Sequence, residues 1–361
     1  MKNVSRPSPT CLQRSNSGSL VAQDSLMIVS SPSSQLRADL WWRGLCFILC
    51  VPSGGALLVK VYGLLELNSG VLFVTLPCCV ALVGIWLWAK RTGRNSLAEA
   101  LAIGCLGGLL GTLAYDLVRI PPLLSGQRIF APISAYGVWI ADAGGSSRGT
   151  ELLGWAYHFS NGLTFGMMYT LCLRKRHWAW AILWGLVLET IALVSPFGRI
   201  FYLVGNYQAI GIAYFGHIAY GLPLGWLAFR WEETSAWLRQ LSLRRVMQLL
   251  LIACAVMAWL IFWPTHVQRD ARVMAGEFRV EAIALNPDWL RLTRGGSIQV
   301  FNPEARDITV VVRQTNAKHR IASQAKTTIS FPQPGLYQLF VETSRQTRSS
   351  FVIVEPVEDF R

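Results

Sequence analysis

Long apolar runs alternate with short polar, basic segments along most of the chain. Each run is close to the ~20 residues that an α-helix needs to cross about 30 Å of hydrocarbon. The pattern therefore predicts seven transmembrane helices. The predicted spans are 44–64, 71–89, 98–120, 152–173, 178–198, 208–229 and 246–264.

The pattern changes after about Val267 to short runs of alternating polarity, bounded by turn residues. This alternation predicts an all-β domain of small sandwich type over residues 275–361. The predicted strands are Phe278–Ile283, Trp289–Leu292, Ser297–Phe301, Asp307–Val312, Lys326–Phe331, Gly335–Val341 and Ser350–Val354.

Composition assigns these elements to an integral membrane protein. Hydrophobic residues make up 52% of the 361 residues and charged residues 15%, a balance that a soluble domain of this size does not cover with polar surface. The predicted organisation has three parts. They are a Ser-rich, disordered cytoplasmic tail (1–40), an α-helical multi-spanning domain of about seven helices (41–265) and the small all-β domain.

The net charge of +13 refines the topology instead of indicating a nucleic-acid partner. Lys and Arg cluster before the first predicted span and after the second, fourth and sixth, whereas the intervening loops hold few. The positive-inside rule then predicts a cytoplasmic N-terminus and, after seven crossings, an extracytoplasmic C-terminus. We expect a multi-pass protein of the inner or plasma membrane, with the lipid bilayer as its partner.

Two of the predicted spans carry the same phrase, a histidine followed by glycines four and eight residues later. The phrases are His158, Gly162, Gly166 and His217, Gly221, Gly225. An ionisable side chain in a span is costly and indicates a functional site. Two small residues on the same helix face predict a packing surface, which admits either another backbone or a flat ligand.

Each histidine helix follows a helix that contains a carboxylate. Asp116 precedes His158 in the segment 98–173, and Glu189 precedes His217 in 178–229. Both hairpins run outward and then inward, so they form a possible tandem repeat. At about 1.5 Å of rise per residue, all four ionisable groups lie in the outer half of the bilayer.

Several chemistries fit these four residues. Imidazoles with carboxylates suit a metal such as zinc, iron, manganese or copper, and the two histidines on parallel helices suit axial ligation of a haem. A proton or ion relay is the third possibility. We expect a metal or haem site of Asp116, His158, Glu189 and His217, serving redox chemistry or metal handling. A non-catalytic scaffold or assembly factor and an ion or metal transporter are the alternatives, so enzymatic activity stays open.

Other polar residues flank the predicted site. Arg119 and Arg199 lie at external helix ends. An arginine there binds an anionic headgroup, a carboxylate substrate or Glu189 and Asp116 themselves, or it anchors the helix by snorkelling. Lys60 is expected to snorkel to the outer interface. The long outer loop 121–151 is apolar enough to dip into the interface or to cover the site as a lid.

The order of motifs in the β-domain resembles the cupredoxin family. They are Pro287, Leu290-Arg291-Leu292, Gly295-Gly296, Val300-Phe301-Asn302, Asp307-Ile308-Thr309-Val310, Ile329-Ser330-Phe331, Pro334-Gly335-Leu336-Tyr337 and Phe351-Val352-Ile353-Val354. The resemblance implies a cupredoxin-like sandwich; an immunoglobulin-like sandwich is the alternative fold.

The chain departs from that family where copper would bind. The resemblance places the first His ligand at Ile308 and the Cys ligand at Val341, and residues 342–350 contain neither His nor Met. A blue-copper site needs the thiolate, so no such site is expected. His319 is expected in an exposed loop. The domain is then predicted to cap the membrane site or to dock an extracytoplasmic protein partner.

Overall fold

The computed structural model describes residues 32–125, 129–240, 277–281, 284–286, 288–342 and 349–356, together with isolated positions 248, 252 and 255. Residues 39–361 form one compact unit, and residues 1–38 are assigned to another. The predicted disordered tail lies largely outside the described residues. Helix α1 begins at Pro32, within the stretch assigned to that tail.

The membrane region is helical throughout its described length. A π-helical turn, Val71–Thr75, joins α2 to α3. The helices are α1 (Pro32–Val61), α2 (Leu67–Gly70), α3 (Leu76–Arg91), α4 (Asn95–Leu117), α5 (Ile120–Leu124), α6 (Ala131–Ile140), α7 (Arg148–Cys172), α8 (Ala179–Val194), α9 (Pro196–Ile200), α10 (Tyr207–Phe229) and α11 (Trp231–Gln240).

Four helical stretches in the described part of the chain are long and apolar enough to cross a membrane: Asp39–Val61, Leu67–Arg91, Asn95–Leu124 and Tyr207–Phe229. The apolar helix α8 is shorter, at 16 residues. Helix α7 has 25 residues and lies at the fourth predicted span, but it is not among the four. The seventh predicted span, 246–264, lies outside the described residues except for isolated positions.

Glycines let α4 and α7 approach to backbone contact. A Cβ on Gly108 would lie 2.3 Å from the carbonyl oxygen of Gly162, and one on Gly104 would lie 2.5 Å from the Cα of Met167. Thr170 spans the same seam, since its hydroxyl donates to the Ala100 carbonyl at 2.7 Å. Small residues at such positions are what permits close helix packing in lipid.

The segment predicted as a lid contains a buried helix, α6. Eight of its ten residues are buried, and the helix packs directly on α7. A Cβ on Gly137 would lie 1.8 Å from the Thr150 carbonyl oxygen, and one on Gly154 would lie 2.1 Å from the Ile133 carbonyl oxygen. Because glycines on both helices allow this approach, the apolar part of the loop 121–151 belongs to the protein core.

The β-domain contains two sheets. The strands are β1 (Glu277–Glu281), β2 (Ala284–Asn286), β3 (Trp289–Leu292), β4 (Ser297–Phe301), β5 (Ile308–Val312), β6 (Ala317–Ile321), β7 (Lys326–Ser330), β8 (Gly335–Val341) and β9 (Ser350–Val354). One sheet has the order β2-β1-β4-β7 and the other β3-β9-β8-β5-β6. Pairs β1–β4 and β3–β9 are parallel, and the other pairs are antiparallel.

Side chains from both sheets share one hydrophobic core, so the sheets form a sandwich compatible with a cupredoxin-like fold. Ile308 and Val341, at the places where the resemblance puts copper ligands, belong to this core. His319 is not in a loop: it is half-buried on β6, paired with Val310 of β5. The sequence of β6 does not read as a strand because it is largely basic, and only one face of β6 is turned toward the core.

Candidate functional site

Each of the two hairpins brings its histidine to its carboxylate. His158 Nε2 on α7 lies 3.1 and 3.2 Å from the two carboxylate oxygens of Asp116 on α4. His217 Nδ1 on α10 lies 3.2 Å from Glu189 Oε2 on α8. The carboxylate side chains are 3% and 5% exposed and the imidazoles 16% and 18%. The carboxylates are therefore the inner members of both pairs.

Tyr115 connects the two pairs. Its ring centroid lies 5.9 Å from that of His158 and 4.9 Å from that of His217, the second contact being edge-to-face. The adjacent residue on α4 is Asp116, so one turn of that helix contacts both pairs. The sequence pairs the ionisable residues correctly, but it carries no signal for Tyr115, since an aromatic residue in a span is ordinary.

Arg119 lies inside the protein beside the first pair. It is 9% exposed, with Nη1 3.8 Å from Asp116 Oδ1, and Nη2 donates to the carbonyl of Ile129. Its guanidinium lies over the rings of Tyr115 and Phe130, at 4.7 and 4.8 Å from their centroids. Of the alternatives for Arg119, the structure shows the contact with Asp116 and not snorkelling, because this carboxylate one turn back and two aromatic faces hold the guanidinium inside the protein. Arg199 is exposed on α9 and stays a prediction as a headgroup ligand.

The four glycines of the repeated phrases pack against neighbouring helices. A Cβ on Gly162 would lie 1.7 Å from Thr112 Oγ1, and one on Gly221 would lie 2.5 Å from the Cα of Ile182. These faces are filled by α4 and α8, respectively. The glycines therefore admit a second helix here, and they give no room for the flat macrocycle that the haem alternative needs.

The last glycine of each repeated phrase contacts a backbone carbonyl of the preceding helix in its hairpin. A Cβ on Gly166 would lie 2.3 Å from the carbonyl oxygen of Gly104, twelve residues before the carboxylate of that hairpin. A Cβ on Gly225 would lie 2.3 Å from the carbonyl oxygen of Trp178, eleven residues before its own carboxylate. The hairpins also contact each other, since the hydroxyl of Tyr220 donates to the Gly162 carbonyl at 2.7 Å.

A cavity of about 500 Å³ lies against both pairs. Both imidazoles, Glu189, Tyr115 and Arg119 are in its wall, and most of the remaining lining is apolar. The wall also includes β-domain residues, among them Gln314, Leu336 and Phe351. The cavity is therefore lined jointly by membrane helices and the β-domain.

Two polar atoms of the cavity-lining residues have no hydrogen-bond partner among the residues that the structure describes. They are Glu189 Oε1 and Arg119 Nε, and both are buried. Leaving such a group unpaired costs roughly 1–3 kcal/mol, and more when it is charged. Both atoms lie behind the surface of the cavity wall, in residues that line it.

Each imidazole is held through one ring nitrogen. His158 uses Nε2 toward Asp116, and His217 Nδ1 lies 3.0 Å from the carbonyl oxygen of Ala213, one turn back on its own helix. A proton on the held nitrogen satisfies these acceptors and leaves a lone pair on the other, His158 Nδ1 or His217 Nε2. Histidines that act as bases or as metal ligands are held in this way.

The four predicted donors form two pairs and not one set. Within the described ranges, no three His, Cys, Asp or Glu residues gather around a point where they could hold a metal ion. In this geometry the carboxylates hold the imidazoles in place. A ligand of the site would thus meet the imidazole nitrogens before the carboxylates.

A second polar network joins the membrane helices to the β-domain. Lys60 is 1% exposed, and its Nζ lies 2.7 Å from Glu66 Oε2 and 2.5 Å from Glu355 Oε2. Trp139 Nε1 on α6 donates to Glu355 Oε1 at 3.0 Å. The expected snorkelling of Lys60 is wrong, because two carboxylates and the Trp139 ring enclose its ammonium group.

Arg291 on β3 completes this network. Its Nε donates to Glu355 Oε1 and its Nη1 to Asp142 Oδ1, each at 2.5 Å. Burial lowers the pKa of Arg291, but Glu355 and Asp142 outweigh that effect and hold the pKa above its ordinary value. The sequence gives no sign of this contact, since nothing local relates Lys60 to residues nearly 300 positions later.

Comparison with known proteins yields a partial likeness. No family model matches the chain, and no curated protein matches it. Solved structures of amicyanin are similar to part of it, for example a tryptophan-to-tyrosine variant in the reduced state and a methionine-to-alanine variant in the Cu(I) state. Each is 18% identical, with a TM-score of 0.20, and the match covers 24% of this chain and 88% of amicyanin.

Proposed function

We propose that the protein is an integral membrane protein that binds a small molecule in the cavity, against its two histidine–carboxylate pairs. The observation that carries the proposal is that both imidazoles, Glu189 and Arg119 line a single cavity of about 500 Å³. Small-molecule sites have volumes of roughly 300–1,000 Å³ and combine an apolar wall with a few convergent polar groups. The described cavity has both properties.

The proposed topology has seven spans, a cytoplasmic N-terminus and an extracytoplasmic C-terminus in the inner or plasma membrane. The asymmetry of Lys and Arg between alternate loops supports it. The cavity then lies in the outer half of the bilayer, roofed by the β-domain on the extracytoplasmic side. Reporters fused after residue 240 and after residue 361 test this topology. Because one proposed span separates the two fusion sites, the reporters must lie on opposite sides of the membrane, and a cytoplasmic C-terminal reporter contradicts the proposal.

His158 and His217 are proposed to meet the bound molecule through the ring nitrogens that Asp116 and the Ala213 carbonyl leave unused. A neutral imidazole held in this way offers its free ring nitrogen as a hydrogen-bond acceptor to the bound molecule. This assignment makes the two histidines the reactive groups. Asp116 and Glu189 then position them.

Extraction of the purified protein, followed by mass spectrometry of the released small molecules, tests the proposal. Ala192 on α8 lines the cavity, and an Ala192→Phe variant fills part of it with a ring. Val187 on the same helix is 42% exposed, at the lipid side, so Val187→Phe is the matched control. We expect a molecule that copurifies with the wild type and with the control, at severalfold lower occupancy in Ala192→Phe. Equal occupancy in all three contradicts the proposal.

A metal ion at the histidines is the second candidate function, and it keeps redox chemistry or metal handling as the role of the site. The observation in its favour is that one ring nitrogen of each imidazole faces a hydrogen-bond acceptor, Asp116 or the Ala213 carbonyl, as in histidines that bind metals. Metal analysis and an absorption spectrum of wild type and of a His158→Ala, His217→Ala double variant test it. Stoichiometric metal that the double variant lacks supports this function. If neither metal nor an organic molecule is bound, and the double variant behaves as wild type, the cluster only packs helices and the scaffold alternative stands.

A further inference from the structure

Two arginines meet at one serine hydroxyl, at the ends of α1 and α7 that lie away from the β-domain. Arg43 on α1 donates through Nη2 to Ser96 Oγ at 2.7 Å, and Arg174, just after α7, donates through Nη1 to the same oxygen at 2.6 Å. The three residues, called the Arg–Ser cluster below, are each half-buried and keep some exposed surface. Two positive charges therefore converge on an atom that carries no charge.

The Arg–Ser cluster has no acidic counterpart within the part of the chain that the structure describes. Neither guanidinium forms an ion pair there, because the carboxylates of the adjoining segments already have other partners. These pairs are Asp39 with Arg94, Glu99 with Arg239 and Glu232 with Lys175. Two like charges without a counter-ion repel each other, and an anion between them would remove that repulsion.

Uncharged groups hold both guanidiniums in place. That of Arg174 lies 4.5 Å from the ring centroid of Trp231, which is 1% exposed, and Arg43 Nη1 donates to the Leu171 carbonyl at 3.4 Å. Arg174 Nε is buried, so this side chain can reach a ligand only through its terminal nitrogens. A guanidinium has five N–H donors, and each arginine therefore keeps terminal donors that these contacts do not use.

Ser96 adds a third donor to the two arginines. A hydroxyl has two acceptor lone pairs and one proton. The arginines occupy the lone pairs, and the described residues supply no acceptor for the proton. Ser96 also lies in the first turn of α4, where the helix dipole favours negative charge. Donors from three segments suit a tetrahedral phosphate better than a two-oxygen carboxylate, and guanidinium–phosphate bonds are among the strong charge-assisted ones.

An exposed apolar face of α1 lies beside the cluster. Trp41 and Ile48 are 64% and 65% exposed, and nothing lies within 4 Å of a Cβ on Gly44. These three positions are three and four residues apart, so they share one side of the helix. On the proposed topology this end of α1 lies in the cytoplasmic leaflet, whose surface is negative because of its anionic lipids. A phosphate that carries acyl chains therefore fits both the charge and the apolar surface.

We propose that the Arg–Ser cluster binds the phosphate of an anionic phospholipid, with the acyl chains along the exposed face of α1. Arg43, Arg174 and the Ser96 hydroxyl all donate to the phosphate oxygens. The site is separate from the cavity, so the inference goes beyond the proposed function and does not depend on a ligand there. Free phosphate offers the same oxygens, and the experiment separates it from the lipid.

A competition assay on the full chain in detergent micelles tests the proposal. Radiolabelled dioleoylphosphatidylglycerol is bound to immobilised protein at constant ionic strength and counted by scintillation proximity. The unlabelled competitors are the same lipid, dioleoylphosphatidylcholine, dioleoylglycerol and sodium phosphate. We expect the phosphatidylglycerol to compete at a concentration at least tenfold lower than each of the others. Dioleoylglycerol lacks the phosphate, sodium phosphate lacks the chains, and the choline of phosphatidylcholine adds a positive charge beside the arginines.

Variants assign the binding to the cluster. Arg43→Gln is expected to weaken phosphatidylglycerol binding at least fivefold. Arg174→Lys keeps the charge but loses the planar fork that suits phosphate, so it should weaken binding severalfold. Arg91→Gln is the matched control, because Arg91 is exposed at the end of α3 and its replacement removes the same charge; it should stay within twofold of wild type. If Arg43→Gln does not fold, Arg174→Lys tests the cluster without a change of charge.

Each contrary outcome overturns a stated part of the proposal. Equal competition by phosphatidylglycerol and phosphatidylcholine contradicts an anionic site. If Arg91→Gln weakens binding as much as Arg43→Gln, the affinity belongs to the general positive surface and not to the cluster. If Arg43→Gln and Arg174→Lys both bind like wild type, the arginines only tie α1, α4 and α7 together. Competition by sodium phosphate at the same concentration as the lipid overturns the lipid assignment in favour of free phosphate.

Discussion

At the scale of single residues, this protein surrounds two of its buried cations with carboxylates and aromatic rings. Lys60 and Arg119 are both enclosed in this way. A basic residue at a helix end ordinarily snorkels, and tertiary contacts override that tendency here.

Asp307 gives a pH-dependent prediction in the β-domain. Its carboxylate accepts from the backbone N–H of Ser323 at 3.1 Å and from Arg320 at 2.9 Å, and these bonds lower its pKa. A lowered pKa in the folded state stabilises the fold above the unfolded value of about 3.9, and the contribution is lost as the pH falls through the folded value.

Asp307→Asn is therefore expected to remove this acid-sensitive contribution. The measurement is hydrogen exchange of the segment 317–326 from pH 3 to 7, with protection corrected for intrinsic exchange. Wild type should lose protection toward low pH, and the variant should show lower protection at pH 7 with little further loss. The segment 335–341 is the internal control. Parallel pH curves for the two proteins would contradict the prediction.

At the scale of elements, apolar runs locate the helices within a few residues, and alternation locates most strands. Strands β2 and β6 were missed. The three residues of β2 are too few for a pattern to show, and β6, Ala317–Ile321, carries three basic side chains. In the loop 121–151 the apolar content is visible in the sequence, but the helix α6 is not. Gly137 and Gly154 decide that packing, and they belong to different elements.

Gly166 offers a direct test of the helix seam. A Cβ there would lie 2.3 Å from the Gly104 carbonyl oxygen and 2.7 Å from the Gly108 backbone, so Gly166→Ala must push α4 and α7 apart. Overpacking costs about 1–3 kcal/mol. Gly84 on α3 is the control, because nothing lies within 4 Å of a Cβ at that position. Thermal unfolding in lipid nanodiscs should show a clear loss of stability for Gly166→Ala and none for Gly84→Ala; equal stability refutes the seam.

At the scale of the whole molecule, the membrane helices and the β-domain are held as one unit by buried charge and shared apolar contacts. Trp289, Leu336, Phe351 and Ile353 of the β-domain belong to the same hydrophobic cluster as residues of α6 and α7. Tyr202 adds a hydrogen bond to the Gln314 carbonyl at 2.5 Å. The separate domains follow from sequence patterns, but their junction does not, since each contact joins residues far apart along the chain.

Glu355→Gln tests this junction. It leaves the ammonium of Lys60 and the guanidinium of Arg291 short of a buried partner, and breaking such a pair costs roughly 3–5 kcal/mol. We expect faster hydrogen exchange on both sides of the junction, in segments 139–146 and 289–292. Replacing the buried pair together, in Lys60→Met with Glu355→Leu, should recover part of the loss, because the Lys60 charge is removed with its partner and Arg291 keeps Asp142. A double variant no better than Glu355→Gln would contradict this account.

The distance along the chain between Lys60 and Glu355 also sets an order of events during synthesis. Glu66 is made almost at once after Lys60, but Glu355 follows 295 residues later. At about 5–20 residues per second, that interval lasts on the order of 15–60 s. During that interval Lys60 has Glu66 but not Glu355 as a partner, and the β-domain residues that line the cavity have not all been made. The carboxylate that ties the β-domain to Lys60 is therefore made well after the membrane helices, and a chain truncated before Glu355 keeps the Lys60–Glu66 pair but lacks this junction.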